Sequence, residues 1–235
     1  MKCVVIANTA GGVGKTTTAH AIAVAAVEYG KKVLLVDADP AGTLTFCCGV
    51  ENPRVTTLEF LSGSFSLDAS AIKSAERFSF LPSSPRLSSL DIDASLDYNA
   101  LRKQWETFDL VVVDTATGPN RLMTYFLGAA DLIICPSTAD IISIRGVLHT
   151  KNFVEAVGNS NPFKVLLSGT YDPEPELVSQ LRNDFTVLEP NIHRDNSVAL
   201  SQLTGKSVLT EDKNSRVAAD YREITYSLLE EFSLI

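Results

Sequence analysis

The chain has 235 residues, 45% hydrophobic and 20% charged, and its 28 acidic against 20 basic side chains give a formal net charge of −8. That length and balance suit one well-buried core, and the acidic excess excludes a surface that binds nucleic acid throughout, leaving only local basic patches for such a role. No apolar run approaches the ~18 residues that span a bilayer and no charged segment with a cleavage site opens the chain, so a cytoplasmic protein with one domain over 1–235 is expected.

The chain opens with an apolar strand at residues 3–7, followed by Gly11-Gly12-Val13-Gly14-Lys15-Thr16-Thr17 and a helical run at 17–29 that Gly30 stops. Strand, glycine loop and helix in that order form a phosphate cradle. The glycines let backbone N–H groups turn inward, Lys15 can reach the outer phosphates, and the Thr16 hydroxyl is placed to ligate Mg²⁺ at a helix N-terminus. The spacing departs from the common loop, which has glycine where this chain has Thr9. In the helix, Ala19, Ile22, Ala23, Ala26 and Val27 mark one apolar side.

Further strands are predicted at 32–36, 78–81, 110–113, 132–135 and 165–168, and further helices at 98–107, 120–129, 141–157, 174–183 and 216–232. The alternation implies an α/β fold, a mainly parallel twisted sheet flanked by helices on both faces, as in P-loop nucleotide-binding proteins. The Ser-rich stretch 62–95 carries no clear pattern. Cys3, Cys47, Cys48 and Cys135 lack metal-ligand spacing, and vicinal Cys47 and Cys48 make a poor disulfide, so reduced, packed thiols are expected.

In an open α/β sheet, ligands bind beyond the carboxyl ends of the strands. There the chain places Asp37-Ala38-Asp39-Pro40 and Asp114-Thr115-Ala116-Thr117. Beside a phosphate loop, Asp114 suits the magnesium shell and Asp39 the attacking water, with Asp37 a second metal-side or structural carboxylate.

The order Asn8-x-x-Gly11-Gly12-x-Gly14-Lys15-Thr16-Thr17, then Asp37-x-Asp39-Pro40, Asp109 to Asp114 and Ala130 to Pro136 resembles the ParA/MinD family of deviant Walker ATPases over nearly the whole chain. The resemblance implies an ATP-dependent sandwich dimer, slow hydrolysis of ATP to ADP, non-specific DNA binding by the ATP form on the nucleoid, and a cargo adaptor that stimulates hydrolysis. It also implies adenine contacts from the segment Glu189-Pro190-Asn191-Ile192-His193, with Pro190 and Asn191 as the cofactor-binding residues. The family's loop normally carries a lysine before the paired glycines, and here Ala10 stands there, as in the carboxysome-positioning members. Either another cation takes over or the protein is a switch that barely hydrolyses. Arg145 and Lys151 are the candidates, and the longer reach of an ammonium favours Lys151 as the catalytic substitute.

For DNA, the stretch 193–222 is the basic source, with Arg194, Arg216 and Arg222 as contacts and nearly balanced charge around them. Plasmid or chromosome partition is the alternative cargo. A membrane-bound regulator would need a basic amphipathic tail, whereas this chain ends in Leu228-Leu229-Glu230-Glu231-Phe232-Ser233-Leu234-Ile235, so no membrane partner is expected.

Overall fold

The computed structural model describes residues 1–90, 97–170 and 175–235. In chain order, β1 (Lys2–Ile6) leads to α1 (Lys15–Glu28) and β2 (Val33–Ala38) to three short helices, α2 (Thr43–Cys47), α3 (Thr57–Leu61) and α4 (Leu67–Ser70). Then come β3 (Ile72–Lys73), β4 (Ser79–Leu81), α5 (Tyr98–Gln104), β5 (Leu110–Thr115), α6 (Arg121–Ala129), β6 (Leu132–Ser137) and α7 (Ile141–Ala156). The chain closes with β7 (Phe163–Leu167), α8 (Pro175–Asp184), β8 (Thr186–Val187), α9 (Ser197–Thr204), α10 (Val208–Glu211) and α11 (Arg216–Glu231).

Among the described residues the strands form one sheet in the order β3-β4-β2-β5-β1-β6-β7-β8, parallel throughout except where β3 runs against β4. The central strands are unbroken apolar runs because helices cover both faces. Side chains alternate between two cores: Val4 and Ile6 face the layer of α1, α10 and α11, while Cys3 and Val5 face that of α5, α6 and α7. The register sets Ile6 and Asp37 on either side of Asp114, so three strand ends finish level with one another.

The six predicted strands and six predicted helices are all present. α1 begins earlier than expected because Gly14, at φ 92°, turns the loop directly into the helix at Lys15. It also lacks the one-sided pattern: every residue from Thr18 to Val27 is buried, since α11 covers the side away from the sheet. α5 stops short of the predicted end at 107 because Trp105 turns inward, fully buried and stacked on Phe126 with ring centroids 6.3 Å apart. Position 174 of the predicted helix 174–183, and 91–95 of the unpatterned stretch, lie outside the described residues. The cysteines are all free thiols, three of them buried. No described helix is long and apolar enough to cross a membrane.

Candidate active site

Everything that the glycine loop contacts sits at the carboxyl edge of β1, β2, β5, β6 and β7. Gly12 and Gly14 adopt left-handed φ values of 72° and 92°. A Cβ on Gly14 would also lie 3.0 Å from Ser168 Oγ, the hydroxyl that donates to the Val13 carbonyl at 2.8 Å and pins the loop to the end of β7. Asn8 braces the loop's start: its Oδ1 accepts from Ala10 N at 2.8 Å, and its Nδ2 donates to Pro136 O at 2.7 Å.

Lys15 is only 7% exposed and donates to Ala10 O at 2.8 Å and to Thr117 Oγ1 at 3.2 Å. Burial pushes its pKa down while Asp114 and Asp39 pull it back up. Thr117, in the turn after β5, thus holds the loop ammonium.

The carboxylates divide their work. Asp114 is 1% exposed; its Oδ2 accepts from Thr16 Oγ1 at 2.8 Å, and its Oδ1 is buried with no hydrogen-bond partner. Burial first and the charge of Asp37 second drive its pKa well above the carboxylate range. A buried carboxylate oxygen without a partner, beside a threonine hydroxyl, fits a divalent cation, which would relieve both penalties. Asp37 is saturated instead: Asp39 N (3.0 Å), Thr45 N (2.8 Å) and Thr45 Oγ1 (2.7 Å) all donate to it. It is therefore a brace that fixes the β2 turn onto α2, the structural option of the two that the sequence left open, and burial pushes its pKa up to about 6. Asp39 Oδ1 accepts from Ala41 N at 2.8 Å, and the residue lines the cleft facing the loop.

That cleft has a volume of about 510 Å³ and runs from Gly12, Val13, Gly14, Lys15, Thr16 and Thr17 to a far wall of Ile192, His193, Arg194, Val198, Ala199 and Gln202. Gly11 lies outside the lining, exposed next to Thr117. Of the expected segment 189–193, Ile192 and His193 line the cleft and Pro190 and Asn191 do not; the Ile192 N–H donates to Leu167 O. Arg194, expected on a DNA surface, lines the nucleotide-sized cleft.

The cations outside the cleft also separate. Lys151 Nζ lies 3.3 Å from Glu155 and 5.5 Å from the ring centroid of Phe163, the first residue of β7, so it points toward the amino end of the strands and away from the loop. The sequence preference for Lys151 fails because its own helix turn and an aromatic face capture it. Arg145 is exposed, one residue before Gly146, where a Cβ would lie 2.7 Å from Ala10 Cβ. α7 thus approaches the loop at the position of the missing lysine. Arg222 is bound to Glu28 through Nε at 2.6 Å and donates to the Lys213 carbonyl, so of the arginines expected on DNA it is already paired at the surface. Arg216 is exposed at the start of α11 and, among the described residues, makes no ion pair or hydrogen bond through its side chain.

A family model described as an AAA domain matches residues 1–165. The chromosome-partitioning ATPase Soj of Thermus thermophilus is 31% identical over 96% of this chain and 94% of its own length. The maintenance of carboxysome distribution protein A of Synechococcus elongatus is 30% identical over 72% of this chain and 71% of its own. Among solved structures, cobyrinic acid a,c-diamide synthase of Mycobacterium smegmatis with bound ADP and magnesium superposes with a TM-score of 0.82 at 27% identity, covering 99% of this chain and 95% of that one. With its braced glycine loop, its paired strand-end carboxylates and relatives matched over most of its length, the chain belongs to the ParA/MinD family of ATPases.

Proposed function

We propose that this chain is a magnesium-dependent ATPase whose ATP form dimerises, binds duplex DNA without sequence preference, and positions a cargo on the nucleoid until a cargo adaptor triggers hydrolysis. The observation that carries the nucleotide part is the orphaned, buried oxygen of Asp114 beside Thr16 and Lys15. Thr16 and Asp114 would hold Mg²⁺, which when bound neutralises charge on the phosphate oxygens. The loop N–H groups and Lys15 bind and orient the phosphates. Lys15 leaves its partners Ala10 O and Thr117 Oγ1 to do so, and its burial makes its charge act strongly there. Asp39 orients the attacking water and accepts its proton.

Dimerisation is supported by α7, whose first turns leave Ile141 and Ile142 80% and 75% exposed around Arg145 at the loop face. Apolar side chains of that size grouped beside a site favour burial against another surface. Arg145 is the cation that would reach a partner copy's phosphates in place of the lysine missing at position 10. For DNA, Arg216 with exposed Lys206 and Lys213 forms a small cationic set, and two copies on one face of a dimer would add by avidity. The cargo reading is carboxysomes, supported by Ala10 in the loop and by the Synechococcus relative. Chromosome or plasmid partition is the second reading, favoured by the similarity to Soj over almost the whole chain.

Retention on non-specific duplex DNA at about 0.1 M salt tests the switch, with ATP·Mg²⁺ against ADP·Mg²⁺ and a salt series to expose counterion release. Retention with ATP alone, lost in Arg216→Glu without loss of ATP binding, is the expected result. Equal retention or none in both states would refute DNA as the surface on which the protein works.

A further inference from the structure

Asp220, on α11, is almost fully buried, and its Oδ2 accepts both from the His193 backbone N–H at 3.0 Å and from His193 Nδ1 at 2.8 Å. One buried carboxylate oxygen holding a residue by its backbone and its ring fixes where that ring points. An ionised carboxylate only accepts, so Nδ1 carries the hydrogen and the other nitrogen, Nε2, is a hydrogen-bond acceptor in the neutral ring. His193 lines the cleft, and among the described residues Nε2 has no hydrogen-bond partner.

An acceptor in a binding cleft selects a ligand group that donates. Phosphate oxygens accept and are poorly matched to it, whereas sugar hydroxyls can donate. The position of the ring along the cleft agrees. Tyr221, next to Asp220, joins its hydroxyl to Thr18 Oγ1 at 3.1 Å, and Thr18 follows directly on the phosphate-loop residues Thr16 and Thr17. His193 is thereby tied to the phosphate-proximal part of the far wall. The apolar atoms of Val198 and Ala199 on α9 extend that wall further and suit a flat base.

We infer that His193, held by Asp220, recognises a ribose hydroxyl of the bound nucleotide and makes this cleft select ribonucleotides over deoxynucleotides. The inference rests on the nucleotide reading above. His193 is a binding residue and Asp220 a positioning residue, since the carboxylate acts on the sugar only through the ring. A site built to pair with a hydroxyl loses affinity for an analogue that lacks it, because its own acceptor is then left dry and unpaired.

Titration calorimetry with Mg²⁺ and unlabelled ATP, 2′-deoxy-ATP and 3′-deoxy-ATP tests this in the wild-type chain and in His193→Ala. The wild type is expected to bind ATP about tenfold more tightly than at least one deoxy analogue, the scale of one good hydrogen bond. His193→Ala should weaken ATP by a similar factor, leave the deoxy analogue nearly unchanged and abolish the ratio. Asp220→Ala should reduce the ratio while His193 is still present, a coupling that loss of bulk packing would not produce. Equal affinity of the wild type for all three nucleotides overturns the inference and needs no variant to fold. A ratio that survives in His193→Ala overturns it as well. Failure of the wild type to bind any of the three would instead refute the nucleotide reading itself.

Discussion

The two ends of the cleft are built from different materials. At the phosphate end, Lys15, Asp37 and Asp114 are charged or chargeable groups at most 7% exposed, carried by the neighbouring ends of β2 and β5 and the first turn of α1. At the other end, Ile192, His193, Val198 and Ala199 come from a loop and a two-turn helix, held by the α11 residues Asp220 and Tyr221. The first end stores electrostatic cost that a ligand and its cation relieve. The second stores almost none and acts through shape and single hydrogen bonds. Rate should therefore respond to changes at the phosphate end, and affinity and selectivity to changes at the other.

The largest effect belongs to a residue outside the cleft. Arg145→Ala is expected to lower turnover by about 10³-fold or more if the cation reaches a partner's phosphates, with Lys151→Ala close to wild type. Phosphate release at saturating ATP would show it, and equal effects of the two variants would return Lys151 to consideration. Asp39→Ala comes next, with turnover down by about 10²–10⁴-fold and ATP affinity retained in calorimetry. An affinity loss as large as the rate loss would break the contrast between the two ends.

A pH titration sharpens the same contrast without any substitution. Burial pushes Asp37 from an ordinary 3.8 up to about 6, so between those values the native protein binds more protons than the unfolded chain. Stability then falls as pH rises through that window, by about 3 kcal/mol for this group alone, and the raised pKa of Asp114 extends the loss upward. Thermal melts without ligand should show that decline, and saturating ATP·Mg²⁺ should offset it by binding only the native state. A flat profile without ligand would mean that the phosphate end stores no such cost. The smallest effect is expected for Arg222→Ala, whose pairing with Glu28 lies at the surface: a loss of under about 1 kcal/mol and unchanged DNA retention.

The same division governs what was legible from residues alone. The phosphate end is written locally: a glycine loop between an apolar strand and a helix, then acids that terminate apolar runs. The parallel sheet was readable for the same reason, since buried strands are continuous apolar runs. The far wall depends on pairings that no local pattern announces. His193 and Asp220 are separated by 27 positions, and Tyr221 meets Thr18 across 203. α9 had a modest signal, an apolar run ended by Gly205 in the left-handed conformation at φ 67°. Lys151 was misjudged because reach was weighed without its neighbours: Glu155 one turn on and Phe163 from the next strand both attract its ammonium.

α11 covers α1, joins Tyr221 to Thr18 and holds His193 through Asp220. One helix therefore touches both ends of the cleft, so a shift in its packing reaches the helix behind the glycine loop and the far wall together.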